Sequence, residues 1–379
     1  METKLLKGNN KEAIAEASKI LQDGGLVAFP TETVYGLGAD ALNADAAAKI
    51  YAAKGRPSDN PLIVHIADTN AVEKLADLET MNRTHPDMVK KAHMLMEAFW
   101  PGPLTIIFPK LAIVPDGTTG GLPTVAIRMP SHPIAQELIR TSGVSIAAPS
   151  ANTSGRPSPT TAQHVWEDMD GRIEMILDGG AVGIGIESTI VDMTGTIPTI
   201  LRPGFITKTM LSEIVGDVTI DPAIIEPDPN LRPKAPGMKY THYAPHGTLS
   251  IVEAAADESA NRASLHSGVK VSYNATEAET LRVAEKIKAL VNEKEAQGYK
   301  VAILTTKEHA SLYKNYSHVL IVGEGSKGQT ISARLYAALR ECDSEQMEYM
   351  YSEAFDQNEL GGAIMNRLLK AAGHRVITV

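Results

Sequence analysis

Two short polar stretches, far apart in the chain, carry side chains whose types and spacing suit chemistry. The first reads Lys54-Gly55-Arg56-Pro57-Ser58-Asp59-Asn60-Pro61 and stands between a predicted helix and a predicted strand. Because prolines do not continue a helix, the two cations are expected on an irregular loop. Paired cations on a loop suit phosphate or carboxylate ligands, although a solvated basic turn would have the same sequence.

The second stretch, Pro149-Ser150-Ala151-Asn152-Thr153-Ser154-Gly155-Arg156-Pro157-Ser158, follows a predicted strand at 144–148. It is dense in hydroxyl and amide groups, and its glycine allows a close approach of the backbone. Further polar side chains stand at or just past predicted strand ends, namely Thr33, His65, Arg128, Ser188 and Arg202. Since ligands of open α/β sheets bind beyond the strand ends, these groups predict one shared site.

The set contains no covalent nucleophile with an evident base beside it. It therefore favours nucleotidyl transfer by positioning and charge neutralisation over hydrolysis through a covalent intermediate. Each residue taken alone also has a structural interpretation. His65 suits a buried core histidine, and Thr33 or Ser188 suits a strand-end cap. The combination, rather than any single residue, indicates a site.

The hydrophobic pattern of the first part of the chain predicts short strands with interspersed helices. Helices are predicted at 10–23, 44–53, 70–77, 86–99 and 132–141, and strands at 26–29, 62–66, 104–108, 124–130, 144–148, 173–177, 188–192 and 198–202. The residues around Gly117, Gly120 and Gly121 are predicted to form a mobile loop, and those from Pro30 to Gly38 a hydroxyl-rich loop. Several strands follow one another without a helix, which indicates a mixed sheet.

The second part of the chain differs from the first in composition and in hydrophobic pattern. A proline-rich stretch at 221–247 reads as a semi-rigid linker. After it, strands are predicted at 248–252, 269–273, 300–305, 317–322 and 375–379, and helices at 256–266, 276–296, 328–341 and 359–371. This alternation predicts a smaller Rossmann-like parallel α/β domain. We therefore predict a catalytic domain at 1–220, a linker over the active site at 221–247 and a second domain at 248–379.

Composition and missing motifs exclude several classes of protein. The chain has 379 residues, a net charge of −9 and one cysteine, so neither bulk-charge binding of nucleic acid nor a cysteine metal cage is expected. It shows no signal-peptide pattern and no apolar run of membrane-spanning length, which predicts a cytoplasmic protein. No phosphate-binding P-loop occurs, and Gly323-x-Gly325-x-x-Gly328 reads as a glycine-rich turn.

The sequence resembles the threonylcarbamoyl-AMP synthase family, whose catalytic part is a YrdC-like domain. Six separated blocks agree in order with that family, namely Pro30–Leu37, Lys54-x-Arg56, Pro101–Thr105, Ser150-x-Asn152, Ser188–Asp192 and Arg202-Pro203-Gly204. The likeness covers roughly residues 10–245, and the linker with the second domain resembles the family's long, two-domain form. The resemblance thus implies a YrdC-like twisted mixed sheet followed by the Rossmann-like domain.

The resemblance also implies a reaction and a set of residues. L-Threonine, bicarbonate or CO₂, and ATP would give threonylcarbamoyl-AMP and pyrophosphate, the first step of threonylcarbamoyladenosine modification of tRNA. L-Threonine would be held by Thr33, His65, Arg128, Ser188 and the backbone at Ala148. ATP would be held by Arg56, Asn60, Thr124, Ser150, Ser158, Arg202 and Tyr243. The catalytic set would be Lys54, Arg56, Ser150 and Asn152.

The same resemblance implies Mg²⁺ alongside ATP, while no metal is assigned to protein side chains. A tRNA-modifying transferase complex would receive the product downstream. A further interpretation gives the second domain a regulatory or docking role with no chemistry of its own. Two rival functions also stay open. One is an RNA-binding, translation-associated module with a nucleotide pocket, against which the acidic balance and the absence of an aromatic strand platform argue. The other is a carbamoyltransferase of the hydrogenase-maturation type, whose cysteine-rich zinc modules do not fit a single cysteine.

The linker generates the first testable prediction. Mixed anhydrides and carbamates decompose in water, so a segment that excludes solvent would favour synthesis. Deleting 234–246 is expected to reduce synthesis of the adenylate strongly while the first domain stays folded. Product formation by chromatography and circular dichroism check the two parts. Undiminished synthesis would contradict the assigned role.

Overall fold

The computed structural model describes residues 2–224, 235–236, 243–255, 276–355 and 359–379. The chain divides into two compact units. The first comprises Met1–Ser154 and Ser158–Tyr240, and the second comprises Gly155–Pro157 and Thr241–Val379. Most of the proline-rich stretch predicted to be a linker, together with the predicted helix at 256–266 and strand at 269–273, lies outside the described residues.

The first unit is built from short strands and eight helices among its described residues. Its strands are β1 Lys4–Lys7, β2 Val27–Phe29, β3 Gly36–Asp40, β4 Ile63–His65, β5 Leu104–Pro109, β6 Thr124–Arg128, β7 Ile146–Ala147, β8 Met175–Asp178, β9 Thr189–Asp192, β10 Thr199–Arg202 and β11 Thr219–Ile220. Its helices are α1 Lys11–Gln22, α2 Ala44–Lys54, α3 Leu78–Thr84, α4 Pro86–Phe99, α5 Asp116–Thr119, α6 Pro133–Ser142, α7 Ala162–Met169 and α8 Lys208–Val215.

These strands form one sheet in the order β1-β8-β2-β3-β7-β4-β6-β5-β9-β10-β11. Parallel and antiparallel neighbours occur side by side. For example, β6 pairs parallel with β4 and antiparallel with β5. This mixed pairing confirms the fold class predicted from consecutive strands without an intervening helix.

The middle of the sheet brings polar residues into register. His65 on β4 lies opposite Arg128 on β6, and Arg128 lies opposite Thr105 on β5. The next strand, β9, pairs Thr189 with Leu104. Partners on adjacent strands stand side by side on one face of a sheet. Residues that are distant in the sequence are therefore aligned at one end of neighbouring strands.

Apolar residues on both faces of the sheet fix these strands in place. On one face α1 packs with α6 through fully or nearly fully buried side chains such as Ile14, Leu21 and Leu138. On the other face α2 and α4 contribute Ile50 and Leu95 to a larger core. Burial of a large aliphatic side chain stabilises the fold by roughly 1.5–3 kcal/mol.

The structure corrects the predicted loop from Pro30 to Gly38, because its last residues form strand β3. A Cβ on Gly38 would lie 2.7 Å from Ile146 Cγ2 and 2.8 Å from Phe29 Cε1. Glycine is thus required by close packing against neighbouring strands rather than by a turn. Several hydroxyl-bearing residues followed by two glycines, Gly36 and Gly38, are typical of a loop, which explains the error.

Two helical predictions in the first unit are also corrected. The helix predicted at 70–77 is a 3₁₀ helix at Thr69–Lys74, and an α-helix follows at Leu78–Thr84. Asp77 separates them, since its side chain accepts a hydrogen bond from Thr80 N and begins the new helix. The predicted mobile loop contains the short helix α5, whose Thr118 Oγ1 donates to Ala41 O at 2.7 Å.

The second unit contains a parallel α/β sheet, as predicted. Its strands are β12 Thr248–Glu253, β13 Val301–Thr306, β14 Val319–Gly323, β15 Tyr349–Glu353 and β16 Val376–Thr378, and its helices are α9 Glu277–Ala296, α10 Gly328–Ser344 and α11 Glu359–Ala371. The strand order is β14-β13-β15-β12-β16, and each recorded pairing is parallel. Strand β15 was missed, because its polar and aromatic residues alternate without a clear apolar run.

The glycine-rich turn after β14 behaves as a structural turn. Gly323 has φ of +153°, and a Cβ there would lie 2.6 Å from Ile331 N. The amide of Gly325 donates to the Glu308 carboxylate at 2.8 Å. A protein carboxylate thus already occupies an amide that a dinucleotide phosphate would need. Within the described parts of both units, no helix is long and apolar enough to cross a membrane.

Helix α2, which carries Lys54 at its end, generates a stability prediction. The Asn43 side chain caps it by accepting hydrogen bonds from Asp45 N at 3.0 Å and Ala46 N at 3.1 Å. Asn43→Ala is expected to lower the free energy of unfolding by about 1 kcal/mol, whereas Asn43→Asp keeps the cap. Both tryptophans, Trp100 and Trp166, lie in the first unit, so tryptophan fluorescence during urea unfolding measures this unit. Equal stability of the two variants would contradict the assignment.

Candidate active site

Lys54 joins the two polar stretches that the sequence singles out. Helix α2 ends at this residue, and Gly55 follows in the left-handed conformation with φ of +61°. The Lys54 ammonium donates to the carbonyl oxygens of Ser150 and Asn152, each at 2.5 Å. In return Ser154 N donates to Lys54 O at 2.9 Å. The lysine is 3% exposed. Its two hydrogen bonds therefore hold the loop at 149–158 in place from the interior of the protein.

The loop after β7 is ordered by its own side chains as well. Ser150 Oγ donates to Asn152 Oδ1 at 2.6 Å, and Asn152 Nδ2 donates to Thr153 O at 2.7 Å. At the far end of the stretch, Ser158 Oγ donates to the buried Glu187 carboxylate at 2.6 Å. The predicted site residues of this loop are therefore held in fixed rotamers rather than solvated.

Arg56 and Asn60 lie on the loop that follows helix α2. The Arg56 guanidinium donates to Pro61 O at 3.1 Å and to Asn60 O at 3.4 Å. Asn60 is 2% exposed, and its Oδ1 atom has no hydrogen-bond partner in the part of the chain that the structure describes. A buried acceptor without a donor is costly, so this atom is suited to a donor on a bound ligand.

Arg128 is the centre of a second cluster. Its NH1 donates to Thr33 Oγ1 at 3.0 Å, and its NH2 donates to Glu32 Oε1 at 2.7 Å. Its Nε donates to Gly102 O at 3.3 Å. The arginine is 4% exposed and forms an ion pair with Glu32. A fixed, buried guanidinium of this kind suits a carboxylate ligand.

His65 lies beside Arg128 in the sheet and is uncharged at neutral pH. Its Nδ1 atom lies 3.0 Å from Ile63 O, so this nitrogen carries the ring proton. Burial and, to a lesser extent, the charge of the neighbouring Arg128 lower the pKa of His65 to about 3. The ring also contacts Phe29 edge-on, with centroids 6.1 Å apart. The histidine thus adds a polar group without adding charge.

Ser188 and Arg202 complete this end of the sheet. Ser188 Oγ lies 2.8 Å from Thr105 Oγ1 and accepts a hydrogen bond from Arg202 NH2 at 3.1 Å. Arg202 Nε donates to Ser188 O at 3.0 Å, and all three residues are buried. Arg202 NH1 donates to Pro236 O at 3.4 Å, so a described part of the proline-rich stretch reaches this arginine.

The remaining predicted residues occupy three different places. Ala148 follows β7, and its amide donates to Ile63 O at 2.8 Å beside His65. Thr124 begins β6 opposite Pro109. Tyr243 belongs to the second unit, where its ring stacks on Tyr336 with centroids 5.1 Å apart and planes at 28°. The contact of Tyr243 with a nucleotide stays a prediction.

The sequence reasoning missed three polar residues that hold the predicted ones: Glu32, Thr105 and Glu187. Two of them stand inside blocks that the sequence singles out, so the signal was present but their partners were not visible. Glu187 directly precedes Ser188. Only the folded chain shows that it faces Ser158.

The arrangement offers buried positive charge with hydroxyl and amide groups, and it contains few titratable groups that could act as bases. Among the described residues, no cluster of three or more histidine, cysteine, aspartate or glutamate side chains could hold a metal ion. Such a site can bind anions and orient them in a water-poor environment. These groups suit acidic ligands.

Comparisons with known proteins identify the family of the chain. Residues 19–204 match a family model described as "Telomere recombination", and residues 206–373 match one described as "Threonylcarbamoyl-AMP synthase, C-terminal domain". A threonylcarbamoyl-AMP synthase of Bacillus subtilis is 46% identical over 97% of this chain and 95% of its own length. The Pyrococcus abyssi threonylcarbamoyl-AMP synthase is 41% identical over 98% of each chain.

A solved structure extends the agreement to the fold. The crystal structure of Pyrococcus abyssi Sua5 complexed with L-threonine has a TM-score of 0.84 and 40% identity, and the match covers 100% of each chain. The chain is therefore an α/β protein of two compact units whose nearly full-length relatives are named threonylcarbamoyl-AMP synthases. The chain belongs to the threonylcarbamoyl-AMP synthase family.

The depressed pKa of His65 generates a prediction about pH. As pH falls below about 6.5, the unfolded chain gains a proton on this histidine and the folded chain does not, until pH approaches 3. Stability is therefore lost on acidification, by about 2 kcal/mol between pH 7 and pH 5 from this group. His65→Gln is expected to show a smaller loss over the same range in urea unfolding followed by tryptophan fluorescence. Parallel losses in both proteins would show that His65 is not the source.

Proposed function

We propose that this chain catalyses the reaction of L-threonine, bicarbonate or CO₂, and ATP to threonylcarbamoyl-AMP and pyrophosphate. The observation that carries the proposal is the buried Arg128 guanidinium, with Thr33 at 3.0 Å and the uncharged His65 beside it. This geometry fits an amino-acid carboxylate. The nearly full-length likeness to proteins named threonylcarbamoyl-AMP synthase supports the same substrate.

The threonine end of the site follows from charge and register. Arg128 would bind the substrate carboxylate, and the neutral imidazole of His65 would not add a second cation there. The hydroxyl groups of Thr33 and Ser188, with the backbone at Ala148, would bind the polar remainder of the amino acid. All of these groups are buried, so hydrogen bonds to them would form in a water-poor environment.

The ATP end would use the two loops joined by Lys54. The proposed nucleotide ligands are Arg56, Asn60, Thr124, Ser150, Ser158, Arg202 and Tyr243. The unpartnered Oδ1 of Asn60 suits a donor on the nucleotide, and the arginines suit its phosphates. Lys54 and Asn152 would act together, since the lysine fixes the loop and contributes positive charge beside it.

The chemistry would proceed through two bond-forming steps. The neutral amine of threonine attacks CO₂ and gives a carbamate. A carbamate oxygen then attacks the α-phosphorus of ATP, and pyrophosphate leaves. Negative charge grows on the phosphates during the second step, so the cations of Arg56, Arg202 and Lys54 would stabilise its transition state.

The described residues do not form a cage for a magnesium ion. Within the described ranges no carboxylate or imidazole cluster suits a metal ion, so Mg²⁺ would arrive bound to the ATP phosphates. We also propose that the enzyme acts in the cytoplasm and supplies its product to a tRNA-modifying transferase complex.

The predicted domain limits are proposals too. We propose that 1–220 is the catalytic domain, that 221–247 is a linker over the active site and that 248–379 is a separate C-terminal domain. The recorded hydrogen bond from Arg202 to Pro236 supports a role of the linker near the nucleotide residues of the first unit.

Arg128 provides the direct test of the function. Release of pyrophosphate from ATP is expected to require both L-threonine and bicarbonate. Arg128→Ala is expected to lower kcat/KM for threonine roughly 100-fold, because a charge-assisted hydrogen-bonded pair is lost. The KM for ATP should change little. Arg128→Lys keeps the charge but loses the two-pronged geometry, so an intermediate loss is expected.

Arg140→Ala is the matched control, since Arg140 lies on α6 and donates to Gln136 Oε1 rather than to a site residue. It should retain wild-type activity. ATP turnover that ignores threonine would indicate a nucleotide-binding enzyme with a different substrate. No ATP turnover, together with steeply salt-dependent RNA binding, would favour the RNA-binding alternative.

A further inference from the structure

Glu32 is the charged residue of the Arg128 cluster that the proposed function leaves without a role. Its Oε1 accepts the hydrogen bond from Arg128 NH2 at 2.7 Å, and its Oε2 accepts one from Ser131 N at 3.1 Å. Its side chain is 14% exposed, against 4% for Arg128. The carboxylate is therefore held in place, and part of it remains accessible.

The backbone around Glu32 is fixed as firmly as its side chain. Ile184 N donates to Glu32 O at 2.9 Å, and Gly185 N donates to Thr33 O at 3.0 Å. Thr31 Oγ1 also donates to Val34 O at 2.7 Å across the turn. The carboxylate is consequently presented from a rigid segment, which suits a binding group.

The anion Glu32 and the cation Arg128 are complementary to the ammonium and the carboxylate of an α-amino acid. A free amino acid carries an ammonium and a carboxylate on one carbon, so the two charges are adjacent. The cluster places an anion and a cation in direct contact. A carboxylate has about four acceptor positions, so Glu32 can accept from an ammonium while it keeps its present donors.

We propose that Glu32 binds the α-ammonium of the amino-acid substrate and takes one proton from it before the amine attacks CO₂. This inference rests on the proposed function. Arg128 and Glu32 then form one recognition unit for a free α-amino acid. A substrate whose amine is replaced by an uncharged group loses half of that recognition.

The proton balance of this step closes without an added reagent. The ammonium gives one proton to the Glu32 carboxylate and becomes the neutral amine. Bicarbonate supplies CO₂ and hydroxide. When the C–N bond forms, the second proton on nitrogen goes to that hydroxide and gives water. The Glu32 proton returns to solvent after the product leaves.

The histidines near Glu32 are less suited to this role. His65 is buried beside Arg128, where a second positive charge is disfavoured, and its pKa is lowered to about 3. Burial also lowers the pKa of His132, although the nearby Glu32 charge opposes this. The Nδ1 atom of His132 already accepts a hydrogen bond from Ile134 N at 3.3 Å. When the substrate carboxylate pairs with Arg128, Glu32 keeps acceptor positions that can receive a hydrogen bond from the substrate ammonium.

The test compares two ligands on the full chain by calorimetry: L-threonine, and 2,3-dihydroxybutanoate, which has a hydroxyl in place of the ammonium. Wild type should favour threonine. Glu32→Gln is expected to weaken threonine binding roughly 10- to 150-fold, the range for loss of a charge-assisted contact. Binding of the analogue should stay the same or strengthen, because Arg128 is no longer paired with an anion. Glu32→Asp keeps the carboxylate and should retain part of the preference.

A kinetic readout separates proton transfer from binding. At saturating threonine, kcat of Glu32→Gln should be lower than wild type at neutral pH and should rise more steeply with pH, as solvent removes the proton instead. Glu137→Gln is the matched control, because Glu137 is an exposed glutamate on α6 that touches Thr141 rather than the site. It should follow the wild-type profile.

Three outcomes would overturn the assignment. Equal weakening of both ligands in Glu32→Gln would show that Glu32 only positions Arg128. Unchanged threonine binding would show that the ammonium lies elsewhere. A wild type that turns over ATP without threonine would refute the proposed function and this inference together, whereas the first two results leave the proposed function intact.

Discussion

The hydrogen bonds from the Lys54 ammonium to the carbonyl oxygens of Ser150 and Asn152 are the interaction on which the site of the first unit depends. The lysine ends one helix, and the carbonyls belong to a loop that follows a strand far along the chain. Removing a buried ammonium from such acceptors leaves both carbonyls unsatisfied. The side chains of Ser150 and Asn152 would then lose the backbone geometry that sets their rotamers, so a lysine that is 3% exposed determines the conformation of this loop.

The site also shows how burial and charge are balanced. Arg128 and Lys54 are both nearly inaccessible, and each is surrounded by fixed acceptors rather than water. His65, which lies opposite Arg128 in the sheet, remains neutral and so limits the total positive charge. Charge that is held in place before a ligand binds needs no reorganisation when negative charge appears, and this is the property that group transfer at phosphorus requires.

The sequence predicted the fold class, the second parallel sheet and the family. Strand patterns and the six family-like blocks can each be recognised from a few consecutive residues. It placed Arg128 and His65 on separate strands, and only the register shows them opposite each other. Strand β3 was missed since Gly38 serves close packing, which depends on the distant Ile146. Glu32 was missed for a similar reason, because its partner Arg128 lies on the distant strand β6. Contacts between distant residues, rather than local preferences, account for what the sequence could not predict.

Strand β1 has a consequence for association of the folded protein. It forms one margin of the large sheet, where Lys4 pairs with Glu16 and Lys7 pairs with Asp178. Lysine side chains on such a margin oppose the docking of a further strand. The other margin, β11, has only two residues, Thr219 and Ile220. Both borders of the sheet thus discourage aggregation through strand addition, and loss of β1 would leave the apolar strand β8 open to it.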